Sequence, residues 1–137
     1  MNRRTFLQQT LAAALLPLVS PRVFRLQEDP FRLLRHNVGI FTGRGGTIGW
    51  LATADALIVV DAQFPETATQ CWEGLHARTE RMIDALINTH HHRDHTAGNI
   101  ALKPHTRQII AHRNVPELQR RAAEQQGTLD QQAYADR

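Results

Sequence analysis

The chain has a single cysteine, Cys71, and that count removes two kinds of chemistry at once. No internal disulfide can form, and no paired-cysteine zinc site can be built. Long apolar runs are missing as well. The stretch from Leu11 to Val19 is about half of the roughly 20 residues that a membrane-spanning helix needs, and Pro17 interrupts it. A phosphate-binding loop is absent too, because no Lys-Ser or Lys-Thr follows Gly43-Arg44-Gly45-Gly46. Strand-like stretches flank those glycines on both sides, so a hairpin turn is expected there. The net charge of +3 does not make a polycation face. Residues 1–35 hold six arginines against two acidic residues, and the rest of the chain is close to neutral. A nucleic-acid partner is excluded on that ground. With 137 residues, 42% hydrophobic and 21% charged, the composition is that of one globular domain.

What is present begins with an address. Arg3-Arg4 followed by Phe6-Leu7 and a modest apolar run resembles a twin-arginine export signal, with Asn2 where Ser or Thr is usual. An amphipathic N-terminal helix is the alternative, but Gln8, Gln9 and Thr10 do not lay out a polar stripe. Residues 1–20 are therefore expected to direct export to the periplasm, residues 21–29 to be a linker, and residues 30–137 to form the body.

In the body, Phe31 to His36, Val38 to Thr42 and Thr47 to Ala52 read as short strands. The apolar run Ala56-Leu57-Ile58-Val59-Val60 ends in Asp61 and reads as a buried strand that delivers a carboxylate to a sheet edge. Pro65 stands where a first helical position would be, and Phe64, Ala68, Cys71, Trp72 and Leu75 fall on one helical face. Ile83 to Thr89 and Gln108 to Ala111 read as further strands. A helix opened by Pro116 should run to about Gln126 and stop at Gly127.

Histidine is the abundant residue: eight in all, four of them within residues 90–95. Thr89-His90-His91-His92-Arg93-Asp94-His95-Thr96-Ala97-Gly98-Asn99 follows directly on a strand. On a helix, His90 and His92 would point to nearly opposite sides, whereas in an extended or looped backbone they project together. Both can then grip one ion through ring nitrogens, and Asp94 and His95, one turn of loop later, are placed to grip another. Four crowded imidazoles gain nothing as a solvated patch and would repel one another when protonated.

His90-x-His92-x-Asp94-His95 resembles the metal motif of the metallo-β-lactamase superfamily, and Leu57-Ile58-Val59-Val60-Asp61-Ala62 resembles that family's strand ending in aspartate. The similarity covers roughly residues 33–115. It implies an α/β fold, the N-terminal half of an αβ/βα sandwich. It also implies a zinc-dependent hydrolase acting on a small-molecule substrate, with two ions in the complete protein. By the same likeness His90 and His92 bind the first zinc, and Asp94 and His95 bind the second. Asp94 also orients and deprotonates the nucleophile, while Asp61 orients the ligand loop from behind. His91 and Arg93 are expected to point away from the metals. Family members are usually longer and supply further ligands from their second half, and no histidine follows His112 here. The chain is thus expected to be a fragment or a truncated product, inactive alone. Two alternatives stand beside this reading: an iron-containing redox member of the fold, and a degenerate metal-binding protein without catalysis.

Overall fold

The structure, a computed structural model, describes residues 29–136. Residues 1–20, expected to direct export, and most of the expected linker therefore lie outside the described residues. Six strands form one sheet in chain order: β1 (Phe31–Arg35), β2 (Val38–Thr42), β3 (Thr47–Ala52), β4 (Leu57–Val60), β5 (Ala85–Asn88) and β6 (Ile109–Ala111). The first four are antiparallel neighbours, and β4, β5 and β6 run parallel. Tight turns suffice for the antiparallel part, whereas each parallel pair needs a crossover. Helix α1 (Pro65–His76) supplies the first crossover. The second contains two single-turn helices, α2 (Arg93–Thr96) and α3 (Asn99–Leu102), and a 3₁₀ turn at Lys103–His105. Helix α4 (Val115–Gln126) follows β6 and ends at Gly127, whose φ of 64° is the left-handed cap that glycine adopts without strain. No helix among the described residues is long and apolar enough to cross a membrane.

The strand registers sort the side chains onto two faces. On one, Phe41, Ile48, Trp50, Val59, Leu86 and Ile109 are buried against α1, which contributes Ala68, Cys71, Trp72 and Leu75. Burial pushes the Cys71 thiol up to about 12, so this residue is core and not a thiolate donor. On the other face, Val38, Ile40, Leu51, Ile58, Val60, Ile87 and Ile110 line up across the sheet. Val38 is exposed and the rest are half-buried. A sheet that is apolar on both sides is the pattern of a layer between two others.

The parallel register between β4 and β5 is pinned by Asp84, just before β5. Its backbone N–H donates to the Leu57 carbonyl at 2.8 Å, and its Oδ2 accepts the Leu57 N–H at 2.9 Å. Arg81 and Arg107 pair with the same carboxylate at 3.3 and 3.2 Å. The Leu57 N–H, helped by these two guanidinium groups, holds the Asp84 carboxyl below its ordinary value. Asp84→Ala is expected to cost on the order of 1 kcal/mol, the scale of one charge-assisted hydrogen bond after solvent screening. Because the folded pKa is depressed, the benefit is complete above the unfolded value of about 4 and is lost as pH falls through the folded one. Urea unfolding of wild type and variant should therefore show a gap at pH 6 that closes in acid. A gap independent of pH would contradict the assignment.

Candidate metal centre

The parallel strands deliver their C-terminal ends to one edge of the sheet, where open α/β sheets commonly bind ligands. Asp61 leaves β4 there with φ of 64°, and Gln63 follows with φ of 51°. Left-handed backbone is uncommon for either residue, and here it is held by stitches to the histidine loop. The Asp61 N–H donates to the Ile87 carbonyl, the Ala62 N–H to the His95 carbonyl, and the Gly98 N–H to the Gln63 carbonyl, each at 2.8 Å.

The Asp61 carboxylate, only 4% exposed, gathers the site. Its Oδ1 accepts the Thr89 N–H at 2.8 Å, and its Oδ2 accepts the Thr89 hydroxyl and faces His95 Nδ1, both at 2.8 Å. Proton bookkeeping then fixes two tautomers. A carboxylate only accepts, so His95 Nδ1 carries its hydrogen toward Asp61, and in the neutral ring the lone pair then sits on Nε2. The Thr89 hydroxyl has one hydrogen, which goes to Asp61. His90 Nδ1, 3.0 Å from that hydroxyl, must therefore be the donor, and its Nε2 is free as well. Both rings are thus anchored through Nδ1 to a buried acid, His95 directly and His90 through Thr89. That is the arrangement by which histidine ligands of metals are usually oriented.

The rings of His90, His92 and His95 lie near one another. Ring centres of His90 and His92 are 4.8 Å apart, and those of His90 and His95 4.1 Å. Burial lowers the affinity of His90 for a proton, and the neighbouring His95 and His92 rings lower it further. Asp94 and His95 differ from the expected open loop in one respect: they occupy the helical turn α2. Thr96 closes that turn, donating its N–H and its hydroxyl to the His92 carbonyl, both at 3.1 Å. The Asp94 carboxylate lies 3.3 Å from His95 Nε2. Of the two intervening residues, Arg93 turns outward to Gln126 at 2.7 Å. His91 does not leave the cluster altogether. Its ring centre is 4.6 Å from that of His92, though 6.5 Å from that of His90.

Among the described residues, no three of these donors are arranged around one point as they stand. What fits a metal is the donor chemistry: the imidazoles of His90, His92 and His95 in close ring contact with the Asp94 carboxylate beside them, His90 made a poorer base by burial. Nitrogen and oxygen donors of this kind suit zinc.

Several contributors were not legible in the motif. Thr89 is the relay to His90, and a hydroxyl immediately before the first histidine was the available signal. The Gly43–Gly46 turn, expected only as a hairpin, brings its tip against the cluster. A Cβ on Gly46 would sit 2.8 Å from His95 Cε1, and one on Gly45 would sit 3.0 Å from Asp94 Cβ and 2.8 Å from the Phe64 ring. Gln63, fully buried, donates its side-chain amide to the Gly46 carbonyl and holds the tip down.

Comparison with known proteins bears on the family and the fold. Residues 41–131 match the family model described as the metallo-beta-lactamase superfamily. Among solved structures, a motif mutant of the metallo-beta-lactamase from Cronobacter sakazakii is 26% identical. It superposes with a TM-score of 0.59 over 66% of this chain and 37% of its own. A metallo-beta-lactamase from Hirschia baltica is 20% identical, with a TM-score of 0.58 over 77% of this chain and 49% of its own, a likeness of fold alone. The mitochondrial hydroxyacylglutathione hydrolase of Saccharomyces cerevisiae is 57% identical over 28 residues, which is 20% of this chain and 10% of that protein. The chain thus spans between a third and a half of the length of these two solved relatives.

Proposed function

The chain belongs to the metallo-β-lactamase superfamily, whose members include metal-dependent hydrolases, and from that premise we propose that it binds zinc for hydrolysis. In this reading His90 and His92 hold one ion, Asp94 and His95 a second, and the substrate is a small molecule with a carbonyl, thioester or lactam group. The observation that carries it is the pair of tethers from Asp61, to His95 directly and to His90 through Thr89, which holds both rings by Nδ1 and turns His95 Nε2 toward Asp94. A histidine patch without a ligand to hold would have no need of a buried acid behind it.

Zinc, when bound, supplies Lewis acidity that acidifies water and polarises an electrophilic carbon. The protein's own part is orientation and proton handling. Asp61 and Thr89 keep the His90 and His95 rings in one tautomer and one direction. Asp94 is half-buried at the mouth of the cluster, its carboxylate pointing at His95. It is the group placed to accept the proton of the attacking water and to hand it to the leaving atom. The glycine tip, with the Phe64 ring beside it, walls one side of the site at Asp94 and His95.

The test is metal content measured together with turnover of a thioester and lactam panel by the full-length gene product. Asp94→Asn removes the proton acceptor and weakens the second site, so turnover should fall by about 10² or more while one ion equivalent stays bound. Full turnover in the Asp94→Asn protein would overturn the role given to this residue.

A further inference from the structure

The loop that carries the four candidate ligands begins and ends at a buried pair of amides. We infer that this pair, Asn88 and Asn99, is a positioning element for the metal loop, an inference that rests on reading that loop as the metal site. Asn88 is the last residue of β5 and Asn99 the first of α3, so the two bracket residues 89–98. Asn88 Nδ2 donates to Asn99 Oδ1 at 3.0 Å, and Asn99 Nδ2 returns the bond to Asn88 Oδ1 at 2.7 Å. The second hydrogen of Asn88 goes to the His95 carbonyl at 3.3 Å, and that of Asn99 to the Ala133 carbonyl at 3.0 Å. All four amide hydrogens are used, at residues 3% and 0% exposed. A polar network so completely satisfied fixes one arrangement of its surroundings.

The pair also links the loop to the end of the described chain. The Ala133 carbonyl is shared with the buried Gln119 amide at 3.3 Å. Three residues on, Asp136 pairs with Lys103 at 2.7 Å and accepts the Ile109 N–H at 2.7 Å. Segment 132–136 therefore buttresses Asn99, which grips Asn88, which reaches the His95 carbonyl.

Packing alone does not ask for amides here. When both partners of a buried hydrogen bond are replaced by apolar groups of similar shape, stability can be nearly unchanged. No acceptor is stranded by that change, because the His95 carbonyl keeps the Ala62 N–H and the Ala133 carbonyl keeps Gln119. Two leucines could fill the neck, but they would hold neither end of the loop to the other in direction. The distinctive contribution of the pair is to close the neck and keep residues 89–98 in register with the Asp61 turn.

The test compares wild type with Asn88→Leu/Asn99→Leu, using urea unfolding, amide hydrogen exchange without metal, and titration with Co²⁺ as the probe ion. The double variant should fold with a lower urea midpoint, because methyl groups cannot approach to the 2.7–3.0 Å of the amide pair. Its amides in residues 89–98 should exchange about tenfold faster while those of β2, β3 and α1 change less. Co²⁺ affinity should fall about tenfold. Loop exchange and Co²⁺ affinity both equal to wild type would overturn the inference, and so would exchange that rises uniformly over the whole chain. If the double variant does not fold, Asn99→Ser is read by the same criteria. Failure of wild type to bind Co²⁺ would remove the ligand reading, while the exchange data would still decide whether the pair closes the loop.

Discussion

Alanine at His90 or His92 is expected to lower the zinc affinity of this chain by at least about a hundredfold. Loss of a group that merely orients a ligand costs 10–100-fold in comparable sites, and these substitutions remove the ligand itself. The two rings are not interchangeable in their surroundings. His90 is tethered through Thr89 to Asp61, so His90→Ala also leaves the Thr89 relay with nothing to orient, while Asp61 keeps its contact with His95. Metal affinity should depend on pH with a definite sign. Burial and the adjacent rings disfavour protonation of His90, so it remains a neutral ligand below the usual histidine pKa of about 6.5. The contribution of His90 to affinity should then persist through that pH and fall only in more acidic solution, as protons begin to compete with the metal for its ring. Calorimetric titration of zinc into the metal-free proteins across pH measures both effects.

Gly98→Ala is expected to damage the same centre without touching a ligand. The backbone at Gly98, with φ of −74° and ψ of −8°, suits alanine, so no conformational penalty arises. The cost is steric. A Cβ there would lie 2.0 Å from the Ala62 carbonyl oxygen and 2.7 Å from Ala68 Cβ. One neighbour is the turn that follows Asp61 and the other is packed in α1, so neither is the loose end of a side chain. Overpacking of this kind costs about 1–3 kcal/mol, and the upper end is expected where backbone must move. Because the Gly98 N–H and the His95 carbonyl both bond to residues 62–63, the displacement is passed to the ligand loop. The urea midpoint and zinc affinity should fall together. A Gly98→Ala protein of unchanged stability would contradict the packing described at this turn.

Much of this site could be read from the chain because its parts are local. Asp61 closes an apolar run, Pro65 opens α1, Gly127 ends α4, and the histidines sit at spacings that make sense only in a loop after a strand. The pieces that escaped are those that depend on folding two distant segments together. Nothing in Gly45-Gly46 says that the tip would come to rest on His95, some 50 residues later. Asn88 falls within the strand read over Ile83 to Thr89 and Asn99 closes the histidine stretch, and their pairing exists only once the neck of the loop is closed. The positive φ of Asp61 and Gln63 is likewise invisible in residue types, since neither is glycine. The helical turn at Arg93–Thr96 was missed because four residues are too few to show a period. The second apolar face of the sheet was legible in part, as the unbroken Leu57-Ile58-Val59-Val60 run, but its continuation through Ile40, Leu51, Ile87 and Ile110 needed the register.

The most direct test of the account is zinc titration of wild type and His91→Ala side by side with His90→Ala. His91 lies within the same crowded stretch, so it controls for the mere presence of imidazole. Wild type and His91→Ala should bind zinc within about threefold of each other, and His90→Ala should lose at least about a hundredfold. Equal damage from His91→Ala and His90→Ala, or no zinc binding by wild type, would show that this loop is not the metal centre described.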